Sequence, residues 1–199
     1  MKARNSLSSR RGFSMIELMT VIAIMVILAG ILIGALPGIQ AKVSRNKVET
    51  FMAELSSGLS RYQLDNGLYP QNPLNGGERD EVGVEGSKVL YKHLSGDRGG
   101  ADGSGSPDGF VDEDETIYVQ NLSYEQNKES KDPRADSIGS EYFLIDAFGN
   151  PIRYLAEPPN VSGDKRETYN PTYDLWSITD ADPKSPEEQA RHITNWQSN

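Results

Sequence analysis

Cysteine is absent from the 199 residues, which excludes disulfide staples, thiolate metal sites and cysteine nucleophiles. Histidine occurs twice, at His93 and His192, far apart and without metal-ligand spacing, so the sequence reads both as surface residues. The glycine-rich stretch 99–105 has no Gly-Lys-Ser/Thr after it and is therefore no phosphate loop. No Ser-His-Asp order with a nucleophile elbow occurs, and acidic pairs such as Asp112-Glu113 are too ordinary to support glycoside hydrolysis. Positive charge is also scarce, with 20 Lys and Arg against 29 Asp and Glu and a net charge of −9. Four of those cations, Lys2, Arg4, Arg10 and Arg11, lie in the first twelve residues. Setting them and Glu17 aside leaves 16 cations against 28 anions, a net of −12. So acidic a region argues against nucleic acid, which needs a basic face, and suits solvation, cation binding or a basic partner. No internal repeat is present.

What the chain does have is a long apolar run. Between Met15 and Leu36 only Glu17 and Thr20 are polar. As a helix, those 22 residues span about 33 Å at ~1.5 Å per residue, enough to cross a bilayer core. The basic head before the run is expected to stay cytoplasmic. Glu17 is the anomaly, because an intramembrane acid costs about 3 kcal/mol on insertion scales and normally has a partner and a task.

An ordinary secretory signal is cut after its apolar run, beside small residues. Here the small residue, Gly12, precedes the run, so a cut there removes only the basic head and leaves the hydrophobic helix in place. It also exposes an amine on Phe13, four residues before Glu17 and on the same helix face. That geometry suggests an intermolecular pair in which each Glu17 neutralises the Phe13 amine of a neighbouring subunit, favouring registered assembly.

The stretch Gly12-Phe13-Ser14-Met15-Ile16-Glu17 resembles the type IV prepilin cleavage and methylation motif. The resemblance implies cleavage by a prepilin peptidase after Gly12, N-methylation of Phe13, a single-pass inner-membrane subunit with its head in the periplasm, and self-assembly into a filament with Glu17 setting register. The alternative is a simple signal anchor carrying a chance acid.

Helical patterning continues beyond the apolar run. After Pro37-Gly38, apolar residues recur at Val48, Phe51, Leu55, Leu59 and Tyr62, one face of an amphipathic helix, until Asn66-Gly67 and Pro70 stop it. From Phe13 to Gln63 a continuous helix would be about 77 Å long at ~1.5 Å per residue, and Pro37 is expected to kink or locally melt it. Residues 71–115 read mostly as loop, with a short helix around 87–94. Strands are expected at 116–120, 141–146, 152–155 and 173–178, with polar loops at 121–140 and 156–172. The fold class is α+β, a long N-terminal helix packed on a small antiparallel sheet in a pilin-like arrangement. The organisation expected is a leader at 1–12, a membrane and assembly helix at 13–36, an amphipathic helix at 37–65 and a globular head at 66–199.

Three later segments resemble the major pseudopilins of bacterial type II secretion: Tyr62 to Pro70, Asp146 to Tyr154, and Tyr173 to Asp182 with Ile193-Thr194-Asn195-Trp196. Departures are Pro37 three residues beyond the usual proline position, held here by Gly34, a longer and more acidic 71–140 region, and Thr194 in place of glycine. The resemblance implies a structural pseudopilus subunit and no enzyme, with other pseudopilins and an inner-membrane assembly platform as partners. It also implies calcium at the acidic C-terminal loop, on Asp180 and Asp182. Ser177, carbonyls of 175–179 and Glu187 or Glu188 are further oxygen donors. The competing reading of that loop is a solvated acidic tail.

A second acidic loop follows EF-hand-like spacing. Counting Ser104 as first, Ser106, Asp108, Asp112 and Glu115 fall at positions 3, 5, 9 and 12, although the first position should be Asp and Pro107 interrupts the turn. Asp102 would substitute in a loop two residues longer. Trp176 reads as core and Trp196 as a pin for the tail. Two other functions stay open: a type IV pilin for adhesion, motility or DNA uptake, and a membrane-anchored calcium-binding module that never polymerises.

Overall fold

The computed structural model describes residues 13–72, 74, 83–99, 105–159, 166–180 and 191–196, without the side chains of 34–38. The chain divides into two units, 1–42 and 43–199. Helix α1 (Met15–Asn66) begins in the first and ends in the second. Its backbone stays helical through Pro37, where the sequence predicts a kink or a melted turn.

In the first unit, the segment Met15–Ile33 is long and apolar enough to cross a membrane, and none of it is buried. A helix that is apolar all round needs lipid or other helices about it.

The second unit is built on the other half of α1. Its anticipated stripe of Val48, Phe51, Leu55, Leu59 and Tyr62 is buried throughout. Burial of each such side chain contributes about 1.5–3 kcal/mol. The helix ends where Gly67 takes φ 80° and its N–H donates to the Gln63 carbonyl at 2.8 Å, a left-handed exit that glycine makes without strain.

Packed with α1 are α2 (Gly83–Leu94), the single turn α3 (Tyr124–Asn127) and five short strands: β1 (Ala135–Ile138), β2 (Glu141–Leu144), β3 (Arg153–Ala156), β4 (Tyr173–Ser177) and β5 (Ile193–Thr194). All pairings are antiparallel, and there are two small sheets, β1-β2 and β3-β4-β5. They meet at the 146–150 turn through an Ile145–Pro151 bridge and an Ile152 N–H to Leu144 carbonyl bond of 3.0 Å. Leu90, Tyr91 and Leu94 of α2 join Leu144, Tyr154 and Leu175 of the strands in one core with α1. The α+β arrangement of helix and small antiparallel sheets is therefore observed.

Three local expectations change. Segment 116–120 is irregular, because the N–H groups of Tyr118 and Val119 both donate to the Leu94 carbonyl at the end of α2, at 3.1 and 3.0 Å. Segment 121–140, read as loop, contains α3 and β1. His93 and His192, read as surface residues, are both half-buried, with His93 Nδ1 lying 3.1 Å from the Tyr62 hydroxyl and 3.2 Å from Arg98 Nη2.

Candidate functional site

At the start of α1, Ser14 and Glu17 cap the helix reciprocally. The Ser14 N–H donates to Glu17 Oε2 at 2.9 Å, and the Glu17 N–H donates to Ser14 Oγ at 3.3 Å. This is a capping box, which satisfies backbone donors that the first turn would otherwise leave unpaired. Thr20 turns its hydroxyl back on the helix, donating to the carbonyls of Ile16 and Glu17 at 3.0 and 2.9 Å. The two polar side chains of the apolar run are thus both engaged within the helix. Phe13 is exposed next to this cap, whereas Gly12 and the rest of the leader lie outside the described residues. The cap was missed in the sequence, although Ser14-Met15-Ile16-Glu17 has the Ser-x-x-Glu spacing that announces it.

The C-terminal acidic site is organised around a different acid. Asp146 is buried; its Oδ1 accepts the N–H groups of Phe148 and Asn150 at 2.8 and 2.9 Å. Ser177 donates its hydroxyl to Asp146 Oδ2 at 2.5 Å and accepts the Thr179 N–H at 3.0 Å. Burial raises the Asp146 carboxyl above its ordinary range, and the Ser177 hydrogen bond and backbone donors oppose that shift. Ser177 is thereby committed to the 146–150 turn. Asp180 forms an ion pair with Arg191, and the Thr179 hydroxyl lies 3.3 Å from its Oδ1. Asp182, Glu187 and Glu188 lie outside the described residues. Among the described residues, Asp180 is the carboxylate of the proposed set, and calcium takes six to eight oxygens.

The loop after α2 is likewise held by carboxylates that cap backbone groups. Buried Asp97 accepts the Tyr91 hydroxyl at 2.7 Å and the N–H groups of Asp108 and Gly109 at 2.9 and 2.8 Å. Asp112 Oδ2 accepts the N–H groups of Arg98 and Gly99, each at 3.0 Å. Asp108 Oδ1 accepts the Phe110 N–H at 3.0 Å, and Glu115 stands 4.0 Å from Arg98. Asp108 therefore serves Phe110, while Asp112 and Glu115 both engage Arg98, one at its backbone N–H and the other at its guanidinium. Among the described residues, no group of three or more His, Asp or Glu side chains gathers to hold a metal. Ser104 and Asp102 lie outside the described residues. Spacing alone did not reveal Asp97 as the centre of this loop.

Trp176 is buried, as read from the sequence, and the Trp196 ring centroid lies 5.6 Å from that of Trp176 and 5.1 Å from that of Tyr169.

The prokaryotic N-terminal methylation motif matches residues 7–33. The type II secretion system core protein G of Klebsiella michiganensis is 45% identical over 62 residues, 31% of this chain and 44% of that protein. The corresponding protein of Escherichia coli K12 is 36% identical over 61 residues, 31% of this chain and 42% of that protein. That of Vibrio cholerae is 37% identical over 59 residues, covering 30% and 40%. These matches span less than half the length of the relatives. No solved structure matches. The chain is thus similar to prepilins at the methylation motif of residues 7–33 and, over 61 to 62 residues, to type II secretion system core protein G.

Proposed function

We propose that this prepilin-like chain is a structural subunit of a pseudopilus, assembled from the inner membrane to support type II protein secretion. The observation that carries the reading is the order of parts at the N-terminus. The methylation motif over residues 7–33 covers the basic residues Arg10 and Arg11 and then the whole unburied apolar segment Met15–Ile33, whose one carboxylate, Glu17, sits in the first turn of α1. Hydrolysis of the Gly12–Phe13 bond by a prepilin peptidase releases the basic leader, and the new Phe13 amine then takes a methyl group. The subunit waits as a single-pass inner-membrane protein with its head in the periplasm. Other pseudopilins and an inner-membrane assembly platform draw it into the filament, where apolar area buried among many helices drives association. The chain acts by assembly and not by catalysis.

In the filament Glu17 exchanges its own Ser14 N–H for the Phe13 amine of a neighbour, so that the same carboxylate caps the waiting subunit and sets register in the polymer. Calcium is proposed at Asp180 and Asp182, with Ser177, carbonyls of 175–179 and Glu187 or Glu188 as further oxygen donors and with Arg191 as the competing cation for Asp180.

Mass spectrometry of the protein purified from membranes tests the processing. A mature chain beginning at Phe13 with one added methyl supports the reading. A chain retaining residues 1–12 contradicts it and favours an anchored module that does not polymerise.

A further inference from the structure

A groove of about 530 Å³ runs beside the part of α1 that belongs to the second unit, between the helix and the loops at 131–134 and 145–149. Phe51 and Ile145 line it with Lys47, Lys131 and Arg134. The Arg134 guanidinium lies 4.9 Å from the centre of the Phe51 ring, so an apolar wall and a cationic rim are juxtaposed. Lys47 pairs with Asp132 and Arg134 with Glu54, each at 2.5 Å, while Lys131 makes no ion pair among the described residues. Asp132 and Asp146 also line the groove, so three cations face two carboxylates there, and Lys131 is the cation left to attract an acidic partner on a chain of net charge −9.

The complementary element lies elsewhere on the same unit. Phe110 is 58% exposed and opens the run Phe110-Val111-Asp112-Glu113-Asp114-Glu115. The run is anchored: the Asp112 N–H donates to the Gly96 carbonyl at 2.8 Å and the Glu115 N–H to the Asp112 carbonyl at 3.3 Å. No residue of 110–115 lines the groove of its own chain. The run leads instead to the last turns of α1, where the Tyr118 hydroxyl accepts from Asn66 at 3.1 Å and the Tyr118 carbonyl accepts from Arg61. Lys47 and Tyr62 are about 22 Å apart along α1 at ~1.5 Å per residue, so groove and run sit toward opposite ends of this stretch of helix.

We propose that the groove of one copy receives the 110–115 run of a second copy. The Phe110 ring enters against Phe51 and Ile145, and Glu113 and Asp114 meet Lys131 and Arg134. Two different patches are joined, so the contact is heterologous, and its repetition adds copies in one direction without closing a dimer. The inference rests on the filament reading and names a partner surface for it.

The absence of cysteine makes the test direct. Thr116→Cys, beside the run, and Ala147→Cys, at the groove, are introduced together into the full-length chain in its own cells and treated with a short bis-maleimide. A ladder of dimers and higher multimers is expected, absent from either single variant. Phe110→Ala and Lys131→Glu each weaken the ladder several-fold, and Glu113→Lys restores it beside Lys131→Glu. Filaments seen by electron microscopy without the ladder overturn the contact and leave the filament reading standing. A ladder without filaments supports the contact and overturns that reading. Neither ladder nor filaments overturns both.

Discussion

Ser14 and Glu17 exchange hydrogen bonds at the first turn of α1, N–H to Oε2 at 2.9 Å in one direction and N–H to Oγ at 3.3 Å in the other. The carboxylate proposed to set register is therefore already held by the chain's own first turn, and the cap and the proposed pairing are separable. Glutamine keeps the cap, because Glu and Gln both serve at that position, but it removes the charge. Glu17→Gln is expected to insert and be cleaved normally while its shearable filament fraction falls as far as that of Glu17→Ala. Ser14→Ala, which costs about 1 kcal/mol of capping, leaves filaments in place. Normal filaments from Glu17→Gln would contradict the pairing.

Gly58 lies on α1 where a Cβ would stand 2.3 Å from Val119 Cγ2 and 3.4 Å from the Tyr118 carbonyl oxygen. Gly58→Ala overpacks this seam and is expected to cost about 1–3 kcal/mol despite alanine's better helix propensity. Thermal unfolding of the detergent-solubilised chain by circular dichroism should show a lowered midpoint. Gly30→Ala, with nothing within 4 Å, serves as the control.

His93 gives the head an acid-sensitive joint. Burial, then the positive charges of Arg98 and Lys92, lowers its pKa to about 4. Above about pH 6.5 the ring is neutral in both folded and unfolded chains and its contribution to stability is fully present. Between about 6.5 and 4 the unfolded chain takes up a proton that the folded one refuses, so stability falls as pH falls. Asp97 and Asp146 act the opposite way in acid, since burial raises both and the folded chain then binds protons more readily than the unfolded one. Comparing urea midpoints at pH 7 and pH 5 should show a smaller drop for His93→Gln than for the parent chain. An equal drop in both would refute the assignment.

Asp146 holds a turn together, whereas Asp180 is the proposed calcium ligand, and the two roles can be tested apart. Asp146→Ala strands the N–H groups of Phe148 and Asn150 and the Ser177 hydroxyl, at about 1–3 kcal/mol for each buried group left unpaired, and should lower stability with or without calcium. Asp180→Ala removes an exposed carboxylate paired with Arg191. It should abolish calcium binding by calorimetry with little change in the calcium-free midpoint. Undiminished binding by Asp180→Ala would overturn the calcium reading at this loop.

The parts of the fold legible in the sequence were those whose hydrogen bonds and burial are local and periodic. The spacing of Val48, Phe51, Leu55, Leu59 and Tyr62 announced the buried face of α1, and apolar runs announced β2, β3 and β4 to within a residue or two. Strand β1 reads Ala-Asp-Ser-Ile and carries no such signal; it forms because Ala135 to Ile138 find partners in β2. Conversely, 116–120 looks like a strand but spends its N–H groups on a helix end. The same distinction runs through the sites. Ser14-x-x-Glu17 was readable from spacing, whereas Asp97 and Asp146 became hubs by adding to their near neighbours partners 11 to 31 residues away. In the loop with EF-hand-like spacing at 104–115, Asp112 turns one oxygen to the N–H groups of Arg98 and Gly99, contacts that spacing does not announce.

The central claim is that the chain builds a secretion filament, and deletion of its gene in frame tests it most directly. Secreted enzyme activity in the medium and surface pili by electron microscopy are measured side by side in the same strain. The account predicts that secretion is lost, that pili persist, and that the full-length chain restores secretion while Glu17→Ala does not. Lost pili with intact secretion would contradict it and assign the chain to a type IV pilus.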